Sequence, residues 1–153
     1  MKSGITRIAL FVLIFPFISY CQARKPIATK RILSTENAPA VIGPFSQGNV
    51  AGGFLFTSGQ LPIHPKTGVV PETIEEQTKL VLENLQAIII AAGSSMEKVV
   101  KCTVYLQNFS DFAAMNKIYA SYFPQNPPAR VCVEVSKMAK NALVEIDAIA
   151  IVI

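Results

Sequence analysis

The last eleven residues, Leu143 to Ile153, restrict the fold more than any other stretch. Read at a period of two, Val144, Ile146, Ala148, Ala150 and Val152 form one side of a β-strand. Leu143, Ile149, Ile151 and Ile153 make the opposite side largely apolar as well. Each aliphatic side chain contributes about 1.5–3 kcal/mol on full burial, so a strand apolar on both sides has to be covered on both. What the rest of the chain can place over it then decides the architecture.

Only two helices are available. Thr73-Ile74-Glu75-Glu76 has the form of a capping box, Ile74, Val81, Leu85, Ile88 and Ala92 return at helical spacing, and Gly93 supplies a stop. A second helix is predicted from Ser110-Asp111 to just before Pro124, packing through Phe112, Met115, Tyr119 and Tyr122. Ser46–Val50 and Phe54–Gln60 form a hairpin through Gly52-Gly53, and Val99–Leu106 alternates as a strand. With Arg130–Val135 and Leu143–Ile153 the order is β-β-α-β-α-β-β, an α+β sheet with both helices on one face. The other face is expected to be covered by further copies of the chain, which puts side chains of that face at subunit boundaries.

The 153 residues suit one domain, but the first part of the chain does not belong to its core. Met1–Ala23 has Lys2 and Arg7, no acid, an apolar run from Ile8 to Tyr20, and a C-x-A step at Cys21-Gln22-Ala23. These features describe a secretory signal peptide, with an uncleaved N-terminal anchor and a lipidated Cys21 as the alternatives. Residues 24–37 read as a linker and 38–153 as the domain, exported to the periplasm or secreted. The formal net charge of +4 comes from that leading part. From Ile32 onward eight basic residues face ten acidic ones, a net of −2, which leaves no basic stripe for nucleic acid. His64 is the only histidine, in a Pro- and Gly-bounded turn, and Cys102 and Cys132 lack metal-ligand spacing. The two thiols are expected to be buried and free, with a disulfide as the alternative.

Within Pro127–Val135, alternation sets Val131, Val133 and Val135 against Arg130, Cys132 and Glu134. Arg130 is the only arginine after Arg31, a planar fork of donors placed once, at the start of a strand. The plain alternative is an ion pair with Glu134 on the same strand face. Ser58-Gly59-Gln60 places a hydroxyl where the second strand stops, with hydrogen bonding of the turn as its plain role. Cys132 has no base beside it and reads as a packed residue rather than a nucleophile.

Ile42-Gly43-Pro44-Phe45-Ser46-Gln47, Thr57-Ser58-Gly59-Gln60, Pro65-Lys66-Thr67-Gly68, Pro128–Val135 and Val144–Ala150, in this order, resemble the successive signatures of the RidA (YjgF) reactive-intermediate deaminases. The resemblance covers about Leu33 to Ile153. It implies a chorismate-mutase-like fold, a homotrimer with clefts between subunits, and no metal or cofactor. The activity it implies is hydrolysis of 2-imino or 2-enamino acids, such as 2-aminoacrylate and 2-aminocrotonate, to 2-keto acids and ammonia. Arg130 would hold the substrate carboxylate and Glu145 would orient the attacking water. A carboxylate in so apolar a strand is expected to have a raised pKa. Ser58, Gly59 and the Cys132 backbone would line the substrate's amino end, with Asn116 and Tyr119 near the cleft. Phe45 stands where the family usually has Tyr, so a phenolic hydroxyl is missing from the substrate-binding set. The alternative function is a trimeric module that binds small carboxylates without turning them over.

Overall fold

The computed structural model describes residues 29–152, so the Met1–Ala23 reading lies outside it. Six strands form one sheet: β1 (Arg31–Leu33), β2 (Gly48–Ala51), β3 (Phe54–Thr57), β4 (Val99–Leu106), β5 (Ala129–Glu134) and β6 (Val144–Ile151). Their order across the sheet is β1-β2-β3-β6-β4-β5. Every neighbouring pair is antiparallel except β4 and β5. The α+β order expected from the sequence is therefore present with one strand added in front. β1 falls inside the stretch read as linker; three residues show no period, and pairing of Arg31, Ile32 and Leu33 with Val50, Asn49 and Gly48 makes them a strand.

Helix α1 (Ile74–Ala91) begins as its sequence dictates, with Thr73 in extended backbone and its Oγ1 accepting from Glu76 N–H at 3.3 Å. Beyond its last turn Gly93 and Ser94 donate to Ile90 and Ile89 carbonyls, satisfying groups the helix leaves open. Thr73→Ala removes the side-chain acceptor and is expected to cost about 1 kcal/mol, readable in urea unfolding as a shift of the midpoint without a change of slope. Helix α2 (Phe112–Tyr122) connects the parallel strands β4 and β5 in a βαβ unit. The β2–β3 hairpin turns through Gly52 and Gly53, both at positive φ, as a tight two-residue turn requires.

Both helices lie on one face. Val81, Leu85 and Ile88 of α1 and Met115 of α2 are buried against Leu55, Cys102, Val104, Val144, Ile146, Ala148 and Ala150 of the sheet. The C-terminal strand sits between β3 and β4, and its alternate residues Glu145, Asp147, Ile149 and Ile151 point to the other face, half-buried. That face also carries Phe54, Phe56, Val131 and Val133, each about two-fifths exposed, and none of the described residues covers it. The valines of β5 thus occupy the uncovered side, while Arg130 and Cys132 lie on the side of α2. Alternation separates the two sets but does not say which of them the helix covers.

Candidate active site

The sequence-predicted residues come together as two groups, one on each side of the sheet. In the first, the Arg130 guanidinium carbon lies 4.6 Å from the ring centre of Tyr119 and 5.6 Å from that of Phe112, both on α2. A guanidinium held over aromatic rings in this way is positioned without using its donors. The pairing with Glu134 does not form: Glu134 Oε2 accepts from Phe109 N–H at 2.6 Å instead. Among the described residues the one ion pair is Lys79–Glu83, so no protein carboxylate answers Arg130. With Asn116, Tyr119, Phe123, Pro127 and Pro128 the guanidinium lines a cleft of about 510 Å³.

Tyr119 is buried and its hydroxyl has no hydrogen-bond partner of acceptable geometry, although the Cys102 thiol lies beside it. Burial raises the Tyr119 hydroxyl above its ordinary range and pushes the Cys102 thiol up to about 11. Cys102 and Cys132 are both free, Cys102 buried and Cys132 half-buried. Burial likewise raises Cys132, which agrees with a packed thiol rather than a nucleophile. Its backbone is the more useful part. Val135 donates to Leu106 O across the β4–β5 ladder, and strand alternation then turns the Cys132 N–H to the free edge of the sheet, on the strand that carries Arg130.

The second group surrounds Glu145 on the uncovered face. Its carboxyl is half-buried, and burial first, then the neighbouring Asp147, raise its pKa above the ordinary carboxylate value. Asp147 accepts from the Tyr105 hydroxyl at 3.1 Å. Glu145 rests against Gly59, where an added Cβ would collide with Glu145 Oε1 and come within 2.8 Å of its carboxyl carbon. The contact is held by the Gln60–Ile146 bridge, with Gln60 N–H donating to Ile146 O at 2.8 Å. Gly59→Ala is expected to displace the carboxylate and lower turnover about tenfold while the unfolding midpoint moves little, a split that kinetics and thermal melts read separately.

Ser58 takes the plain role: its hydroxyl donates to Ser46 O and its N–H to Gln47 O, tying the end of β3 to the segment that carries Phe45. Gln47, buried, holds the same segment from the other side. Its Nε2 donates to the carbonyls of Thr35 and Pro39 at 2.9 Å each, and its Oε1 accepts from Thr35 N–H at 2.6 Å. Phe45 itself is 55% exposed. Sequence reasoning missed Gln47, and also Tyr105 and Lys137, which line a cleft of about 220 Å³ with Glu145. A signal for Tyr105 was present, since Lys101, Thr103 and Tyr105 are the polar alternates of β4; its pairing with Glu145 shows only in the folded sheet.

Strand register places the two groups on opposite faces. Arg130 pairs with buried Cys102, on the helix side, whereas Glu145 pairs with Tyr105, on the uncovered side. The geometry thus sets an unpaired guanidinium and a half-buried carboxyl on opposite faces of one protomer.

The family model described as endoribonuclease L-PSP matches residues 35–152. A RutC family protein of Pyrococcus horikoshii is 56% identical over 122 residues, covering 79% of this chain and 97% of the relative. The 2-iminobutanoate/2-iminopropanoate deaminase of Salmonella typhimurium is 44% identical over 124 residues, 79% of this chain and 97% of the relative. Among solved structures, Escherichia coli TdcF with bound serine superposes with a TM-score of 0.77 at 41% identity, covering 79% of this chain and 98% of that one. With a family model over residues 35–152, relatives 44–56% identical across nearly their whole length and the same fold in solved structures, the chain belongs to the RidA (YjgF) family.

Proposed function

We propose that the protein hydrolyses reactive 2-imino and 2-enamino acids to 2-keto acids and ammonia, in sites shared between the copies of a homotrimer. The observation that carries this reading is the unpaired, stacked Arg130 on one face and the proton-hungry Glu145 on the other. The Salmonella relative's name and the serine found in TdcF, an amino acid with an α-carboxylate, support it. The substrate carboxylate takes both donors of the Arg130 fork, and the Cys132 N–H lies along the same edge. Glu145 of the neighbouring copy accepts a proton from water as the water oxygen adds to C2. That proton passes to the nitrogen, giving a C2 hydroxyl and an amino group. Glu145 then takes the hydroxyl proton and delivers it to the departing nitrogen, so that the C2–N bond breaks, ammonia leaves and the C2 oxygen becomes the keto oxygen. An enamine enters the same route after protonation at C3. The apolar face formed by Phe54, Phe56, Ile149 and Ile151, which no described residue covers, supports the assembly.

The assay is keto-acid and ammonia release from freshly generated 2-aminoacrylate, run beside light scattering. Acceleration over the spontaneous reaction and a mass of three chains are expected. A monomer, or a rate equal to buffer, refutes the reading. The same proposal includes export through Met1–Ala23: N-terminal sequencing of the native protein should begin after Ala23, and a cytosolic product starting at Met1 overturns that part.

A further inference from the structure

The small cleft at Glu145 adjoins a larger one. Ala139 lines both, and Gly59, which touches the Glu145 carboxyl, lines the larger. The second cleft measures about 480 Å³, and its walls are mostly hydrocarbon, from Ile42, Phe45, Leu61 and Ile63. Lys140 and His64 are its basic side chains, and among the described residues no acid lines it. Lys140 is held at φ 59°, a conformation that a lysine rarely adopts. Hydrogen bonds from Gln47 and Ser58 tie down the segment on either side of Phe45.

Within a single protomer this space is larger than the side chain of a small imine such as 2-aminoacrylate needs. The one-carbon side chain of 2-aminoacrylate is no bigger than a water molecule, about 30 Å³, and would leave an apolar cleft filled with water. We infer that this cleft is the side-chain subsite and that the preferred substrates are 2-imino acids with long or branched aliphatic side chains, Phe45 setting the preference. The inference rests on the deaminase reading above for its chemistry, but on the cleft alone for its specificity. A phenyl ring gives the wall no polar atom to be stripped of water when an aliphatic chain enters; a tyrosine hydroxyl at this position would need a partner there.

The test compares kcat/KM for the imines of leucine and methionine, generated in place by an amino-acid oxidase, with that for 2-aminoacrylate, on the full trimer. A preference of about tenfold or more for the larger imines is expected. Phe45→Tyr should reduce that ratio about threefold or more, within the range a single pocket contact commands. Ile42→Asp should reduce it at least as far; Ile42 is 83% exposed, so the change does not disturb packing. Calorimetry of the product acids adds a readout that needs no turnover: 4-methyl-2-oxopentanoate should bind about tenfold tighter than pyruvate, and Ile42→Asp should erase the difference. Equal or lower rates for the larger imines, or a ratio that neither variant moves, overturn the inference and leave the deaminase reading in place. If no imine is hydrolysed but the keto-acid preference persists and responds to Ile42→Asp, the deaminase reading fails and the subsite remains.

Discussion

Arg130→Ala should lower kcat/KM for 2-aminoacrylate by about 10²–10⁴-fold, because it removes two charged hydrogen bonds worth roughly 1.5–3 kcal/mol each. Arg130→Lys should recover little of this: it keeps the charge but replaces the flat fork by a point charge that cannot span both carboxylate oxygens or stack on Tyr119 in the same plane. The fold should survive both changes. Arg130 has no protein ion pair among the described residues, and its stacking on α2 is worth only about 0.5–1 kcal/mol. Circular dichroism and trimer mass unchanged, with activity gone, is the expected pattern; full activity in Arg130→Ala would remove the guanidinium from the mechanism.

Glu145→Gln should reduce kcat by about 10²–10⁴-fold with binding of the keto-acid product retained, since the amide fills the same space but accepts no proton from water. The pH profile carries the sign. Burial and Asp147 raise the Glu145 pKa, so the reactive carboxylate appears only as pH rises past that raised value. The acidic limb of kcat/KM should therefore lie above pH 4.5, the ordinary glutamate value, and should vanish in Glu145→Gln. Mixing the two inactive proteins tests the placement of the groups on opposite faces. Dissociated and reassembled together at equal amounts, Arg130→Ala and Glu145→Gln subunits should regenerate roughly one intact site in four by random cyclic assembly. No recovery after exchange would mean that each site draws both groups from one chain.

The elements whose ends are written in local chemistry were legible in the sequence. Thr73, Glu76 and Gly93 bound α1 where expected, and β4 runs from Val99 to Leu106 as read. β1 was not legible, because Arg31–Leu33 becomes a strand only through its partner. Arg130 stood out by scarcity and Glu145 by its apolar neighbours, yet their placement on opposite faces depends on register between strands that are distant in the chain. Gln47 was invisible for the same reason: its partners, Thr35 and Pro39, are carbonyls whose position only the folded loop defines. The exposed valines of β5 show how far alternation goes; it divides a strand into two sides and leaves the outer one unidentified until a helix has been laid over the other.

β6 joins β3 on one flank and β4 on the other, although it is the last strand in the chain. Before residues 144–151 emerge from the ribosome, the β1–β3 ribbon and the βαβ unit are two separate pieces with raw edges facing each other. The keystone follows every other described strand, so the two pieces can close into one sheet only once residues 144–151 are there to pair with both.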